Sequence, residues 1–309
     1  MSIRHRTYAD LESTDASGLG EQVAAQAQRV ADRLAGVGSC VAVMSGKGGV
    51  GKSLVSAALT AALSRLGLRV GLLDADLVGP TAARLSGVTA TSLVVDETGV
   101  EPPVSEAGVR VMSMDLLLED GSPLAWREPD SDSFVWRGAQ ERGALREFLS
   151  DVKWGQLDVL LLDLPPGTQR LVDLFELVPN LAGAIVVTIP TSASAAAVQR
   201  SIALARTRGI PLLGIVENMA GYACHDCGQV GELFPGDAAD SLAATHSVPV
   251  LARIPFDVSA GRAAESGAMG ELVSGTEAGR VIDELARVLT DSLGLDSLGL
   301  EAPSTGERA

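Results

Sequence analysis

Residues 46–53 read Gly46-Lys47-Gly48-Gly49-Val50-Gly51-Lys52-Ser53, which matches the phosphate-binding pattern G-x-x-x-x-G-K-[S/T]. An apolar run ending at Met44 precedes this stretch, and the helical pattern LVSAALTAALSRLG follows it. In such a loop, glycines let backbone N–H groups curl around a phosphate, the lysine adds positive charge and the hydroxyl ligates Mg²⁺. An ordinary glycine-rich turn is the alternative, but it would not require this order of strand, loop and helix. We therefore expect Lys52 at the β- and γ-phosphates of a nucleotide and Ser53 at the metal ion.

Apolar strand patterns alternate with helical patterns on both sides of this loop. Unbroken apolar strands of this kind are typical of a parallel sheet with both faces covered. We therefore predict an α/β fold of the P-loop NTPase type, with a doubly wound, mostly parallel sheet and helices on both faces. The predicted strands after the loop are RVGLLDAD (69–76), VRVMSM (109–114), LDVLLLD (157–163), AGAIVVTIP (182–190), PLLGIVENM (211–219) and VPVLARIP (248–255). The predicted helices lie near 20–36, before the loop, and near 139–150, 194–208, 237–246 and 276–292, after it.

The chain shows no repeat and no linker of the kind that separates domains. We predict an N-terminal arm and helix over 1–37, a P-loop ATPase domain over 38–292 and a flexible tail over 293–309. The segments 86–106 and 115–135 are rich in Gly, Pro, Ser and acidic residues, so we expect them to form surface excursions.

Composition disfavours several classes of protein. The 309 residues include 24 Lys and Arg against 39 Asp and Glu, a formal net charge of −15, which opposes nucleic acids and anionic membranes as partners. A hydrophobic content of 46% is too high for a disordered chain. No apolar stretch reaches the roughly 20 residues of a spanning helix, and we see no secretory signal. Three cysteines, an odd number, favour a cytoplasmic protein without structural disulfides.

Carboxylates stand at the ends of two predicted strands. Asp74 and Asp76 end one of them, and Asp163 ends another. Ligands of open parallel sheets bind at the carboxyl ends of the strands, and phosphoryl transfer needs carboxylates near Mg²⁺ and the attacking water. Each residue alone could equally be a surface acid or a cap, but together with the phosphate loop they favour an NTPase site.

Two further candidate ligands, Cys224 and Cys227, form a C-x-x-C pair in a loop. Two thiolates at this spacing can share one metal, but they supply only half of a tetrahedral or cluster site. The other ligands would come from His225, from a partner subunit or from outside, and a two-fold dimer would bring together four thiolates. A pair of unliganded thiols is the alternative. Cys40 lies in an apolar strand, so we interpret it as a buried hydrophobic residue.

A series of motifs then points to one family. These motifs are SGKGGVGKS (45–53), LLDADLVGP (72–80), VWRG (135–138), LLLDLPPGT (160–168), VVTIP (186–190), ENM (217–219) with YACHDCG (222–228), and VPVLARIPFD (248–257). With these motifs in this order, the sequence resembles the Mrp/ApbC-type iron–sulfur cluster carriers. Those carriers belong with MinD and ParA to the deviant Walker A group of ATPases. The resemblance spans about residues 38–290.

The resemblance implies a homodimer that binds and hydrolyses ATP with Mg²⁺. Lys47 resembles the signature lysine that reaches the partner's nucleotide, so Lys47, Lys52 and Asp76, the water-positioning acid, are the expected catalytic residues. Ser53 would ligate Mg²⁺, with Asp74 and Asp163 as outer acids, and Asn218 resembles the asparagine that contacts adenine. The expected nucleotide-binding set is Gly46, Lys47, Gly48, Gly49, Val50, Gly51, Lys52, Ser53, Leu54 and Asn218.

For the cysteines, the resemblance implies that Cys224 and Cys227 hold a [4Fe–4S] cluster between two subunits, with zinc possible in its place. The cluster would pass to recipient apo iron–sulfur proteins, without nucleic acid or membrane as a partner. A metallocentre-maturation ATPase, for example for nickel delivery, is an alternative that uses the same parts. A MinD- or ParA-like positioning ATPase is another, but it would need a cationic membrane helix or a basic DNA-binding face, which the net charge of −15 opposes. A regulator that binds nucleotide but hydrolyses little is a further alternative.

Several residues depart from the family pattern. Leu54 stands where the family usually has Thr, and Gln169-Arg170 replaces the acid-containing end of its G-T-[G/S]-D motif. Ala139 and His225 stand where Pro is usual. Neither the four-cysteine arm of the eukaryotic scaffolds nor the small N-terminal domain of many bacterial members is seen. We expect these differences to affect turnover and partner choice more than nucleotide binding.

Overall fold

The computed structural model describes residues 19–88, 93–117, 134–167, 169–178, 180–224, 227, 229–272 and 276–295. The helices are α1 (Leu19–Leu34), α2 (Lys52–Arg65), α3 (Ala82–Leu85), α4 (Phe134–Asp151), α5 (Gln169–Leu177), α6 (Ser192–Thr207), α7 (Ala238–His246), α8 (Val258–Ser266), α9 (Met269–Leu272) and α10 (Glu277–Ser292). The strands are β1 (Val37–Ser45), β2 (Val70–Asp74), β3 (Val94–Asp96), β4 (Gly99–Glu101), β5 (Arg110–Met112), β6 (Leu157–Asp163), β7 (Leu181–Thr188), β8 (Leu212–Ala223), β9 (Val230–Gly231) and β10 (Val250–Phe256).

An eight-stranded sheet forms the centre of the molecule, in the order β10-β8-β7-β1-β6-β2-β5 with β9 beside β8. The strands of this order pair in parallel, whereas β9 runs antiparallel to β8. Strand β2 is buried throughout and β6 nearly so, which explains the unbroken apolar runs in their sequences. The predicted doubly wound α/β fold is confirmed.

The topology brings the polar strand ends to one edge of the sheet. From β1 the chain goes on to β2 on one side, past β6, and later to β7 on the other side, so β1 lies at the switch point. Asp74 and Asp163 are paired in register at the ends of β2 and β6, and Asp163 is in register with Val43, two residues before the end of β1 at Ser45. The loop after β1 therefore begins in the crevice where parallel sheets bind their ligands.

The N-terminal helix packs on the body of the fold. The guanidinium of Arg146 in α4 donates to the side-chain oxygen of Gln26 at 2.9 Å, and Val30 and Leu34 are buried in the same core as the sheet. Helix α1 ends at Leu34, near the end of the helix predicted at about 20–36. No helix within the described ranges is both long and apolar enough to cross a membrane.

Some short elements were not expected from the sequence. The segment 86–106, expected to be a plain excursion, contains the β3–β4 hairpin, and Lys153 holds this hairpin through Asp96 at 2.7 Å and Glu101 at 3.4 Å. Helices α3, α5, α8 and α9, each of nine residues or fewer, were also missed. The arm before residue 19, most of the 115–135 excursion and the tail from residue 296 lie outside the described residues.

Candidate functional site

The phosphate loop leaves β1 and enters α2 through Gly51. This residue has φ of +78°, in the left-handed region that glycine adopts without strain. Because glycine has no side chain, it does not cap the N-terminus of the helix. The first N–H groups of α2 therefore remain for a ligand, at the positive end of the helix dipole. This is the local geometry that binds phosphate.

At its other end the loop is pressed against α6. A Cβ at Gly46 would lie 2.3 Å from both the carbonyl carbon of Ala197 and the backbone nitrogen of Val198. Backbone atoms cannot rotate away as a flexible side chain can, so the residue at position 46 must lack a side chain. The first glycine of the motif is thus explained by packing as well as by ligand binding.

We expect Gly46→Ala to destabilise the fold by about 1–3 kcal/mol, the usual cost of overpacking, and to weaken nucleotide binding by displacing the loop. Urea unfolding measures the first effect and titration with MgATP the second. Gly48→Ala is the matched control for stability, because its added Cβ would meet only the ring of Pro166, at 3.9 Å. Equal unfolding midpoints for Gly46→Ala and the wild type would contradict this account.

A buried ion pair lies beneath the loop. The ammonium of Lys52 is 2.7 Å from Oδ1 of Asp163, and both side chains are buried. The hydroxyl of Ser56, one turn along α2, donates to the same oxygen at 2.7 Å. The other carboxylate oxygen of Asp163, Oδ2, is buried and has no hydrogen-bond partner within the described chain. Such an atom is costly to bury unless a ligand or water satisfies it.

Asp74, next to Asp163 on the adjoining strand, is fully bonded. Its carboxylate accepts the backbone N–H groups of Asp76, Thr81 and Ala82 at 3.1, 2.8 and 2.9 Å, and the hydroxyl of Ser113 at 3.2 Å. Burial, and then the charge of Asp163, raise the pKa of Asp74 to about 6 against the lowering effect of the backbone donors. The side chain thus shapes the loop that carries Asp76.

The remaining predicted catalytic residues lie at the rim. Asp76 is half-buried and accepts the N–H of Gly79 at 3.1 Å. Lys47 is also half-buried, and its carbonyl accepts the hydroxyl of Ser45 at 3.1 Å. The hydroxyl of Ser53 is 3.4 Å from the ammonium of Lys52, while Leu54 packs against the core.

Asn218 approaches the phosphate loop from β8. Its side-chain amide donates to the carbonyl of Val50 at 2.9 Å, and the residue is buried. The same nitrogen would lie only 2.2 Å from a Cβ at Gly51. The contact described for Asn218 is therefore with the loop itself.

The cysteine pair lies in the turn between β8 and β9. Ala223 pairs with Val230, and the N–H of Cys224 donates to the carbonyl of Gln229 at 3.0 Å, which closes the turn. Cys227 is exposed and Cys224 half-buried. Within the described part of the chain, no group of three or more His, Cys, Asp or Glu side chains could hold a metal ion. We name residues 222–231 the cysteine hairpin.

A known protein family matches most of this chain, including the phosphate loop and the cysteine pair. The family model described as NUBPL iron-transfer P-loop NTPase matches residues 36–290. The chain belongs to this iron-transfer P-loop NTPase family. The resemblance to iron–sulfur cluster carriers inferred from the motifs is confirmed, and the matched range covers both the phosphate loop and the cysteine hairpin.

Relatives of this iron-transfer P-loop NTPase carry matching descriptions. The iron–sulfur cluster carrier protein of Methanocaldococcus jannaschii is 38% identical over 79% of this chain and 82% of its own. The human cytosolic Fe-S cluster assembly factor NUBP2 is 38% identical over 76% of this chain and 85% of its own.

Solved structures support the fold of this family member. A nucleotide-binding protein from Archaeoglobus fulgidus in complex with ADP is 36% identical, with a TM-score of 0.67 over 80% of this chain and 93% of that chain. The septum site-determining protein MinD of Pyrococcus horikoshii, complexed with Mg-ADP, has a TM-score of 0.57 over 86% of this chain and 99% of that chain. At 18% identity this second likeness shows only the fold.

Sequence reasoning missed the hydroxyls that hold the two buried acids. Ser56 contacts Asp163, and Ser113, from the segment after β5, contacts Asp74. Ser56 had a detectable signal, because it is a polar residue one turn after Lys52 in an apolar stretch of helix. Ser113 had none, since its contact with Asp74 depends on the pairing of β5 with β2.

Proposed function

We propose that this chain is an ATP-hydrolysing iron–sulfur cluster carrier of the cytoplasm. Two copies would hold a [4Fe–4S] cluster between their cysteine hairpins and deliver it to recipient apoproteins. The observation that carries the proposal is the half-complete thiol site: two cysteines at an exposed turn, in a chain that also has a phosphate loop with buried acids beneath it.

The phosphate loop supports ATP as the ligand. The open end of α2 offers N–H donors, and Lys52 would exchange its bond to Asp163 for one to a phosphate oxygen. Because the ammonium is buried, its attraction to a phosphate is screened less than it would be at the surface.

The same residues fit a magnesium ion. Oδ2 of Asp163, which has no hydrogen-bond partner among the described residues, and the hydroxyl of Ser53 are hard oxygen donors of the kind that Mg²⁺ takes with phosphates. Asp74 would act from the outer shell, since its oxygens already accept four hydrogen bonds. When bound, the ion would neutralise charge on the phosphates.

Hydrolysis would need residues of both copies. Asp76, at the rim of the site, would orient the attacking water, and Lys47 would reach the nucleotide of the partner.

We expect Lys47→Ala to lose most ATP hydrolysis while keeping much of its nucleotide affinity, because a lysine acting across the dimer contributes little to binding in its own subunit. Steady-state phosphate release and equilibrium nucleotide binding, measured on the same sample, check this. An equal loss of both would assign Lys47 a local phosphate contact instead.

For the cargo, two thiolates from each copy complete a four-thiolate site across a two-fold axis. The test is anaerobic purification followed by iron and sulfide assays, with and without MgATP. We expect iron and inorganic sulfide in equal amounts, shared by two chains, and a change in cluster retention with MgATP. Zinc or nickel without sulfide would overturn the iron–sulfur assignment in favour of another metal-delivery ATPase.

A further inference from the structure

Strand β8 joins the two halves of the proposed function. Asn218, in the middle of this strand, contacts the phosphate loop, and the cysteine hairpin begins four residues later at Tyr222. The part of β8 between these points therefore lies on a short path from the loop to Cys224, made of the hydrogen bond from Asn218 to Val50 and the backbone that follows Asn218. The pairing of this part of β8 with β10 is interrupted, as expected for a joint within a strand.

The irregularity is a bulge opposite β10. Asn218 pairs with Ile254 and Tyr222 pairs with Phe256, so residues 219–221 of β8 face the single residue Pro255. Proline lacks an N–H, which removes one ladder bond at this point. Bulges of this kind redirect a strand and are common beside functional sites.

Backbone strain marks the start of the bulge. Met219 has φ of +55°, a conformation that residues with bulky side chains rarely adopt. Ser247 shares this property within the described chain, but it caps the C-terminus of α7, where left-handed residues are common. A strained residue inside a strand needs neighbours that hold it, and here the neighbour is Asn218, fixed to the carbonyl of Val50.

Beyond the bulge the chain is held tightly again. Residues Tyr222 and Ala223 pair with β9, and the bond from Cys224 to Gln229 closes the turn. The carbonyl of Gly231 and a methyl of Val230 cross so near to Gly221 that a Cβ there would lie 2.7 Å from each. The described parts of the cysteine hairpin, residues 222–224 and 229–231, should therefore move together about residues 219–221.

We propose that β8 transmits the state of the phosphate loop to the cysteine pair, with Asn218 as the positioning residue and residues 219–221 as the joint. This inference rests on the proposed function. When nucleotide draws the loop around its phosphates, the carbonyl of Val50 shifts, the amide of Asn218 follows it, and the bulge converts that shift into a new position of the hairpin. Cluster retention would then depend on the nucleotide without any contact between the two ligands.

The test measures thiol reactivity with and without nucleotide. The full chain, purified anaerobically and stripped of metal, is alkylated with iodoacetamide, and the rate at each cysteine is followed by mass spectrometry. In the wild type we expect saturating MgATP or MgADP to change the rate at Cys224 or Cys227 by about fivefold or more, the lower range of allosteric coupling. Asn218→Ala, at nucleotide concentrations shown by titration to be saturating, should reduce this ratio to one.

Matched variants separate the joint from general damage. Met219→Val, which disfavours the left-handed backbone, should keep nucleotide binding and lose the effect on the thiols, whereas Met219→Asn, which tolerates that backbone, should keep both. Ser247→Val disturbs the other non-glycine residue that has a positive φ in the described ranges, outside the segment 218–224, and should keep the wild-type ratio.

The possible negative outcomes contradict different parts of the proposal. Unchanged thiol rates in a wild type that binds nucleotide, or a wild-type ratio in Met219→Val, would overturn the link alone. A wild type that binds no nucleotide would overturn the proposed function, and the link with it.

Discussion

Replacing Lys52 by methionine is expected to weaken nucleotide binding and to destabilise the fold. The ammonium lies 2.7 Å from Asp163 in a buried pair, so its removal leaves an uncompensated carboxylate in the core, at a cost of about 3–5 kcal/mol. The variant also loses a charge-assisted bond to phosphate, which lowers affinity by about 10- to 100-fold. Calorimetric titration with MgATP and urea unfolding measure the two effects.

A double variant separates these effects. Lys52→Met combined with Asp163→Asn removes both buried charges, so we expect it to recover most of the lost stability while nucleotide affinity stays low. Unchanged MgATP affinity in the single variant would contradict the role of Lys52 at the phosphates. A double variant as unstable as the single one would contradict the importance of the buried ion pair.

The second large effect concerns the cargo. We expect the variant Cys224→Ser/Cys227→Ser to retain no iron or sulfide above background after anaerobic reconstitution, because serine does not supply the thiolates that hold clusters. Nucleotide affinity should remain near that of the wild type, since neither cysteine belongs to the phosphate loop. Iron and sulfide analysis, together with the visible absorbance of the cluster, measures the first result.

Cys40 provides the control for this experiment. Its thiol is buried in β1, 3.3 Å from the side-chain oxygen of Asn180, and burial raises its pKa to about 12, so it is not a thiolate at neutral pH. Cys40→Ala should therefore keep the full iron content. Cluster loss in Cys40→Ala, or wild-type loading in the double serine variant, would show that the hairpin is not the cluster site.

The sequence predicts the main fold well, because its signals are local. The glycine-rich loop and the unbroken apolar run of β6 each indicate their structure without reference to distant residues. The β3–β4 hairpin was not foreseen, because it is held by a tertiary contact to Lys153 rather than by an apolar pattern of its own.

Within the site, residue types were easier to predict than contacts. The motifs single out Lys52 and Asp163, but their direct pairing depends on how α2 packs over β6. The bond from Asn218 to Val50 was likewise not predicted, while the adenine contact that the resemblance implies stays a prediction. The bulge that follows Asn218 depends on the register with β10 and on Pro255, which no pattern within β8 reveals.

The four donors around Asp74 have a thermodynamic consequence. Because they shape residues 76–82 in the folded chain, the conformational entropy of that segment is lost during folding rather than at each encounter with ATP. The entropic cost of ordering this segment therefore falls on folding.

The pKa of Asp74 has a second consequence, for the pH dependence of stability. Because this pKa is raised to about 6, Asp74 binds its proton more tightly in the folded chain, so its contribution to stability declines as pH rises from about 4 through 6. At neutral pH the buried carboxylate thus costs some resistance to unfolding; this cost comes from burial and from the charge of Asp163, and the backbone donors of the loop reduce it.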